Sequence, residues 1–235
     1  MKYRCICDVG CIRKNNEDIA YAAGRLVRDG DCSGHADAPV AFAVADGMGG
    51  YEGGEIASEI VTRSFSTFMK SFQPSSEYAE IIVIKHWAED ANRLVLDTAE
   101  IRPELSEMGT TFVGLIFFQE RAWLINVGDS RCYRLRDAVL QQMSVDHSER
   151  ERSGNPDVPS NIIYNFMGNF PQDFLSDVSE LKPMAGDIYM LCSDGLSDLV
   201  DENAIVANIA KPETLFSLAK EAGGRDNITL ITIQI

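Results

Sequence analysis

Residues 108–142 decide the fold class, and they read MGTTFVGLIFFQERAWLINVGDSRCYRLRDAVLQQ. Short polar turns divide this stretch into four runs that are rich in β-branched and aromatic residues. Such an alternation of short apolar runs and turns is typical of a meander of antiparallel strands. The stretch therefore predicts four consecutive strands, at residues 110–118, 122–127, 132–135 and 139–142.

Helical patterns lie on both sides of this meander. Apolar residues recur at three- and four-residue steps over residues 55–72 and 77–99, which predicts two long amphipathic helices. Two short helices are predicted near the C-terminus, at residues 201–209 and 212–222. Because the helices come in pairs, each pair is expected to cover one face of a sheet.

Further strands complete the pattern, and two polar segments connect them. The strands are predicted at residues 3–8, 19–23, 40–45, 174–181, 187–193 and 227–235. Turn-forming residues dominate 28–38, which predicts a connection, and the polar segment 146–161 predicts an exposed loop or flap. Grouped strands and paired helices indicate an α+β fold with antiparallel sheets, without the regular βα alternation of a Rossmann-like domain.

Composition and charge narrow the class of protein. The chain has 235 residues, which suits one large domain or two small ones. Its formal net charge of −15 argues against a nucleic-acid interface, because such an interface needs a basic face. No apolar run reaches the roughly 18 residues of a membrane span, and the first residues lack the apolar segment of a secretory signal. We expect a soluble protein without nucleic-acid or membrane partners.

The pattern of the six cysteines indicates the redox environment of the protein. None of them stands in a CxxC pair, and no Cys/His spacing matches a zinc site. Six is an even number, so a disulfide framework is formally open. A chain of this size does not need one, which favours reduced and mostly buried thiols in a cytoplasmic protein.

Carboxylates recur where apolar runs end or begin. Asp46, Asp129 and Asp194 each follow such a run, Asp226 precedes one, and Glu17-Asp18 close the loop after the first strand. Several anions at one sheet edge would repel each other unless a cation neutralises them. Oxygen ligands favour Mg²⁺ or Mn²⁺. The alternative is that each Asp-Gly pair only marks a turn.

Seven motifs, in order along nearly the whole chain, carry a resemblance to a known family. They are DVG (8–10) leading through Arg13 to NED (16–18), VADGMGG (44–50), MGTT (108–111), NVGDSR (126–131), DHS (146–148), LCSDGL (191–196) and GRDNIT (224–229). With these motifs the chain resembles the metal-dependent protein phosphatases (PPM or type 2C serine/threonine phosphatases), in particular their compact bacterial branch.

The resemblance implies a fold and an activity. The fold is a central β-sandwich of two antiparallel sheets flanked by pairs of helices, a four-layer αββα arrangement. Residues 1–235 would form a single catalytic domain with a short flap around 147–167. The implied activity is hydrolysis of phosphoserine and phosphothreonine by direct attack of a metal-bridging water or hydroxide at a dinuclear Mg²⁺ or Mn²⁺ centre. The implied partners are phosphorylated proteins, namely a Ser/Thr kinase and its substrates, with the chain acting as a monomer.

The resemblance also implies roles for individual residues. Asp46 would bridge two metal ions, with the carbonyl of Gly47 as a further ligand to one and Asp194 and Asp226 as ligands to the other. The remaining roles are a water-mediated metal contact for Glu17, orientation of the attacking water for Asp18, a third metal for Asp129, and binding of the substrate phosphate for Arg13.

Two departures from the family pattern leave alternatives open. Met48 stands where many eukaryotic relatives have a histidine proposed to protonate the leaving alcohol, so the general acid is unassigned. A metal-bound water or His147 could be the general acid, although the DHS motif favours a structural capping role for His147. Cys192, close to Asp194, is interpreted as a core residue. The segment 148–168 is shorter than the flap typical of bacterial members, which bears on the third metal.

Two other functions are open alternatives to an active phosphatase. One is a catalytically weak regulatory relative that binds phosphoproteins, although every expected carboxylate of the dinuclear centre is present. The other is a nucleotide-binding protein that uses the glycine-rich segment 49–54 as a phosphate cradle, although this segment lacks the GK[ST] ending of a P-loop.

Overall fold

The computed structural model describes residues 1–49, 53–74 and 79–235, and two antiparallel six-stranded sheets form its centre. The first sheet has the order β11-β10-β13-β14-β1-β4, with bounds Val139–Gln142, Arg131–Arg136, Ile188–Cys192, Ile228–Gln234, Lys2–Asp8 and Gly30–His35. The second has the order β12-β9-β8-β5-β2-β3, with bounds Asp177–Leu181, Arg121–Val127, Phe112–Phe118, Val40–Ala45, Ile19–Ala22 and Arg25–Val27. A small ladder pairs β6 (Gly47–Met48) with β7 (Gly109–Thr110).

The two sheets bury a shared apolar layer. Phe42 of β5 and Leu115 of β8 belong to the same core cluster as Leu191 and Ile231 of the opposite sheet. All six residues of β5 are buried, because one of its faces meets the other sheet and the other meets helices. This double burial explains why β5 is continuously apolar instead of alternating.

Paired helices cover the outer faces of the sandwich. Helices α1 (Gly53–Ser71) and α2 (Ala79–Ile101) pack on the second sheet through an aromatic cluster in which Phe65 and Trp87 lie with ring centroids 5.0 Å apart. The short helix α4 (Asp194–Ser197) and helices α5 (Glu202–Asn208) and α6 (Pro212–Glu221) pack on the first sheet. The predicted four-layer αββα fold is therefore confirmed.

Local predictions differ from the structure in several places, among them the strand predicted at 174–181, which spans only Asp177–Leu181. Residues 28–38 were expected to be a connection, but Gly30–His35 form β4. This edge strand forms because β1 supplies a full ladder of backbone partners, from Lys2↔His35 to Cys7↔Gly30, which outweighs weak strand propensity. Helix α2 extends to Ile101, beyond the predicted end at 99, and the predicted start at residue 77 lies outside the described residues.

The segment 146–161 is less exposed than predicted. Asp146, His147 and Ser148 are buried, and the isolated bridge Ser148↔Ile163 ties the segment down. A short helix, α3 (Glu149–Ser153), follows, and its N-cap Ser148 accepts a hydrogen bond from the Glu151 amide. Only the part of the segment after α3 is an exposed loop.

Two further observations concern the chain as a whole. Across residues 1–49, 53–74 and 79–235, the structure contains no helix with both the length and the apolar character that a bilayer crossing requires. All six cysteines are free thiols; four are buried, Cys32 is partly buried and Cys11 is exposed.

Candidate metal centre

The strand pairing brings the predicted carboxylates to one end of the sandwich. Ile19 of β2 pairs with Ala45 of β5, which places Asp18 beside Asp46. In the other sheet Cys192 of β13 pairs with Leu230 of β14, so Asp194 follows one strand and Asp226 precedes its neighbour at the same end. Antiparallel pairing thus joins acidic residues that are far apart in sequence.

A cavity of about 280 Å³ opens between these strand ends. It contains every predicted site residue except Asp18, which lies fully buried beside it. The lining residues are Arg13, Glu17, Asp46, Gly47, Met48, Gly49, Thr111, Asp129, Asn161, Ile163, Asp194 and Asp226.

The backbone around Asp46 is held by Thr111. The Asp46 amide donates to the Thr111 hydroxyl (3.0 Å), and the Thr111 amide donates to the Asp46 carbonyl (2.9 Å). The next residue must be glycine, because a Cβ on Gly47 would lie 2.1 Å from the carbonyl oxygen of Gly54. The chain therefore passes its neighbours so closely here that only glycine fits.

The backbone of Glu17 is held by Asn227, a residue for which the motifs predict no role. The Asn227 side-chain oxygen accepts the Glu17 amide (2.8 Å), and its amide group donates to the carbonyls of Val9 and Asn15 (both 3.0 Å). Asn227 therefore anchors both ends of the loop that carries Arg13 and Glu17. Its place beside Asp226 in the last motif was the only signal in the sequence.

Asp18 is a buried carboxylate with an incomplete set of partners. Its Oδ2 accepts a hydrogen bond from the Ser193 hydroxyl (2.8 Å). Its Oδ1 has no hydrogen-bond partner among the described residues. A buried carboxylate oxygen without a partner is costly, so this atom points to a group that belongs in the site.

Arg13 is the cation that the fold supplies to the cavity. Its Nη2 lies 2.6 Å from Asp226 Oδ2, and its side chain is half exposed. The hydrogen bond to Asp226 raises the pKa of the guanidinium further, so it stays charged. One arginine offsets one carboxylate and leaves the others uncompensated.

The remaining carboxylates carry raised pKa values. Burial, opposed in part by hydrogen bonds, raises the pKa of Asp18 to about 7, and burial together with the charge of Asp194 raises that of Asp129 to about 7. Burial and the charge of Asp226 raise the pKa of Asp194 to about 6. The pKa of Asp46 is also well above its usual range, first through burial and then through Asp18. The site holds more negative charge than its own residues neutralise.

These residues fit a hard divalent cation. The carboxylates supply oxygen donors only, which suits Mg²⁺ or Mn²⁺. Within the described ranges, no three His, Cys, Asp or Glu side chains converge closely enough to enclose a metal ion by themselves.

His147 lies outside the cavity in a satisfied hydrogen-bond network. Its Nδ1 accepts the Gly128 amide (3.2 Å) and lies 2.6 Å from the amide nitrogen of Asn165. Its Nε2 lies 3.1 Å from Asp177, so the network assigns the proton to Nε2. This geometry favours the structural role predicted for His147, and Cys192 is fully buried in the core.

The flap and the glycine-rich segment border the site. Asn161 and Ile163 line the cavity, and Ser160 donates to Asp198 (3.2 Å), which anchors the flap beside the site. The centre of the segment 49–54, residues 50–52, lies outside the described residues. Gly54, the second residue of α1, lies in close contact with Gly47, since a Cβ on Gly54 would lie 2.6 Å from the Gly47 carbonyl carbon.

Comparison with known sequences identifies the family. The pattern of the family described as "Protein phosphatase 2C" matches residues 26–223. The chain is 31% identical to the serine/threonine protein phosphatase PstP of Mycobacterium tuberculosis over all of its own length and 45% of that protein. It is also 31% identical to the serine/threonine phosphatase stp of Listeria monocytogenes, over 97% of this chain and 93% of that protein. The chain spans less than half of PstP and nearly all of stp.

Comparison with solved structures agrees. The catalytic domain of PstP in complex with two manganese ions matches with a TM-score of 0.80 and 28% identity, over 99% of this chain and 98% of that one. The chain belongs to the protein phosphatase 2C family, and the predicted resemblance is confirmed.

Proposed function

We propose that this chain is a metal-dependent phosphatase that hydrolyses phosphoserine and phosphothreonine in proteins. The observation that carries the proposal is the cavity at the end of the sandwich, where Asp46, Asp129 and Asp194 carry raised pKa values beside a single arginine. The names of the relatives and the manganese-bound PstP structure support the same activity.

We assign two Mn²⁺ or Mg²⁺ ions to the cavity. Asp46 would be shared between them, with the Gly47 carbonyl completing one site and Asp194 and Asp226 completing the other. Glu17 would act through water, and Asp129 would serve a third, weaker ion. When bound, two such ions neutralise the phosphate, lower the pKa of a shared water and align it for in-line attack.

The chain's own residues bind the substrate and orient the nucleophile. The Arg13 guanidinium has five N–H donors and gives one to Asp226, so it can still hold two phosphate oxygens. Asp18 is fixed by the Ser193 hydroxyl and has an oxygen without a partner among the described residues, and it would orient the attacking water. No serine or cysteine nucleophile is needed.

The wider assignments follow from this activity. We propose a single catalytic domain over residues 1–235 with a short flap around 147–167, acting as a cytoplasmic monomer on the targets of a Ser/Thr kinase and on the kinase itself. The chain has a net charge of −15, and bound metal ions would make the site locally positive. We therefore expect the chain to prefer phosphorylated segments that are flanked by basic residues. Two phosphopeptides of opposite flanking charge, compared at low salt, test this preference, and equal rates would refute it.

Hydrolysis of p-nitrophenyl phosphate with and without Mn²⁺ tests the activity. We expect turnover that requires the metal and is abolished by Asp46→Asn or Asp194→Asn. The matched control is Asp97→Asn, an exposed position on α2, which should keep full activity. Metal-independent turnover would refute the proposal. Phosphopeptide binding without turnover would instead establish the regulatory alternative.

A further inference from the structure

Cys5 and Cys32 stand directly opposite each other on neighbouring strands. The register of β1 and β4 pairs them, and both side chains belong to the layer between the two sheets. Opposed residues of antiparallel strands have Cα atoms about 4.5–5.5 Å apart, which falls within the roughly 4.4–6.8 Å span of a disulfide. The pairing of the two strands is therefore compatible with a disulfide between these residues.

The two thiols differ in environment. Cys5 is fully buried, whereas Cys32 is partly accessible at the edge of the sheet. The hydrogen bond from Cys5 lowers the pKa of Cys32 to about 7, with help from the charges of Arg25 and Arg4, against burial and the charge of Asp31. The same contact raises the pKa of Cys5 well above its usual range. One sulfur is thus a reachable nucleophile and the other a protonated neighbour.

We propose that Cys5 and Cys32 form a peroxide-sensitive dithiol that closes into a cross-strand disulfide. The Cys32 thiolate attacks one oxygen of hydrogen peroxide, the O–O bond breaks, and the released hydroxide takes up a proton to become water. Cys5 then attacks the sulfur of the resulting Cys32 sulfenic acid, and its proton leaves with the oxygen as a second water. Two thiols are oxidised to one disulfide while one peroxide is reduced to two waters.

The bond would fasten an edge strand of the first sheet. β4 lies at the edge of the sheet, pairs within it only with β1, and is built from residues such as Gly30, Asp31 and Gly34, which have low strand propensity. The closed loop from Cys5 to Cys32 contains the whole segment that carries Arg13 and Glu17. Because the ladder already has the right register, oxidation stabilises this part of the chain and leaves the cavity unchanged.

Peroxide titration of the full chain tests the inference. After treatment at neutral pH, free thiols are alkylated and the digested peptides are mapped by mass spectrometry. We expect Cys32 to react roughly tenfold faster than the exposed Cys11, and to appear in a peptide joined to Cys5 that dithiothreitol separates. The melting temperature should rise by roughly 5–10 °C on oxidation.

Matched variants decide the outcome. In Cys5→Ser, Cys32 should stop at a sulfenic acid that dimedone traps, and oxidation should no longer raise the melting temperature. In Cys32→Ser, which changes a partly exposed side chain, the buried Cys5 should stay reduced. Cys11→Ser should behave as wild type. Reaction of Cys32 no faster than Cys11, or a Cys32 disulfide to any other cysteine, would overturn the inference.

Discussion

The acidic cavity and the His147 cluster lie side by side, and they treat polar groups in opposite ways. His147 is buried with both ring nitrogens in contact with polar partners, Gly128, Asn165 and Asp177. Beside the cavity, the buried Asp18 has an oxygen without a hydrogen-bond partner among the described residues, and burial raises its pKa to about 7. Both regions are polar, but both ring nitrogens of His147 have partners, whereas a carboxylate oxygen of Asp18 has none in the part of the chain that the structure describes.

The two regions meet at the turn that carries Asp129. The amide and carbonyl of Gly128 both bond to His147, and Asp129 follows directly in the cavity. The His147 cluster therefore fixes the turn that places Asp129 at one edge of the acidic cavity. Satisfied buried groups stabilise the fold, whereas uncompensated ones point to a ligand that the fold is shaped to receive.

The largest effect is expected from neutralising the cavity at its centre. Asp46→Asn should lower the metal-dependent rate on the order of 1000-fold, because it removes the shared ligand. The same change should leave the metal-free protein as stable as wild type or more stable, since it removes one of several repelling carboxylates. Steady-state kinetics and thermal melts measure both. A destabilised metal-free variant would show that Asp46 is a structural residue like His147.

Arg13→Ala tests the only cation that contacts the cavity's carboxylates in the described residues. Loss of a charged hydrogen bond to phosphate should raise KM for a phosphopeptide about 10- to 100-fold. Manganese affinity should change much less, because Asp226 is then free of its ion pair. Arg63→Ala, at an exposed position on α1, is the control. A wild-type KM would reject the phosphate-binding role.

His147→Ala should act on stability first. Removing the ring leaves the buried Gly128 amide without its partner and takes one contact each from Asn165 and Asp177, so the free energy of unfolding should fall by about 1–3 kcal/mol. Activity of the folded fraction should survive, with the loss concentrated in affinity for any third metal ion at Asp129. Urea unfolding measures the first effect, with the exposed His86→Ala as control. Loss of turnover with full stability would instead make His147 a catalytic acid.

The pH dependence of the metal-free protein should be the smallest effect and should have an unusual sign. Asp18 and Asp129 have folded-state pKa values of about 7, above the unfolded value of about 4. The folded chain thus binds more protons than the unfolded chain between these values, so stability falls as pH rises from about 4 to 7. Melting temperatures should drop by several degrees over this range and drop less with Mn²⁺. A flat profile without metal would contradict the raised pKa values of these buried carboxylates.

The sequence predicted features that depend on a short local pattern. Apolar runs that end in a carboxylate predicted β5 and Asp46, because burial on both faces leaves no polar residue before the rim. The ordered motifs then predicted which carboxylates meet. This information is local, so it needs no knowledge of the tertiary contacts.

Features that depend on a partner could not be predicted in the same way. β4 exists because β1 offers a free edge, and nothing in residues 30–35 encodes that pairing. Asn227 acts through three distant backbone groups, and the buried base of the flap depends on Asn165 and Gly128. In each case the feature depends on contacts with residues that are distant in the sequence, and these contacts are seen only in the fold.

A crystal grown in manganese tests the central claim most directly, by anomalous diffraction at the strand ends of the sandwich. The account predicts two manganese peaks that share the Asp46 carboxylate, with Asp194 and Asp226 on one of them. An empty cavity with Arg13 still paired to Asp226, or manganese bound only elsewhere, would contradict it.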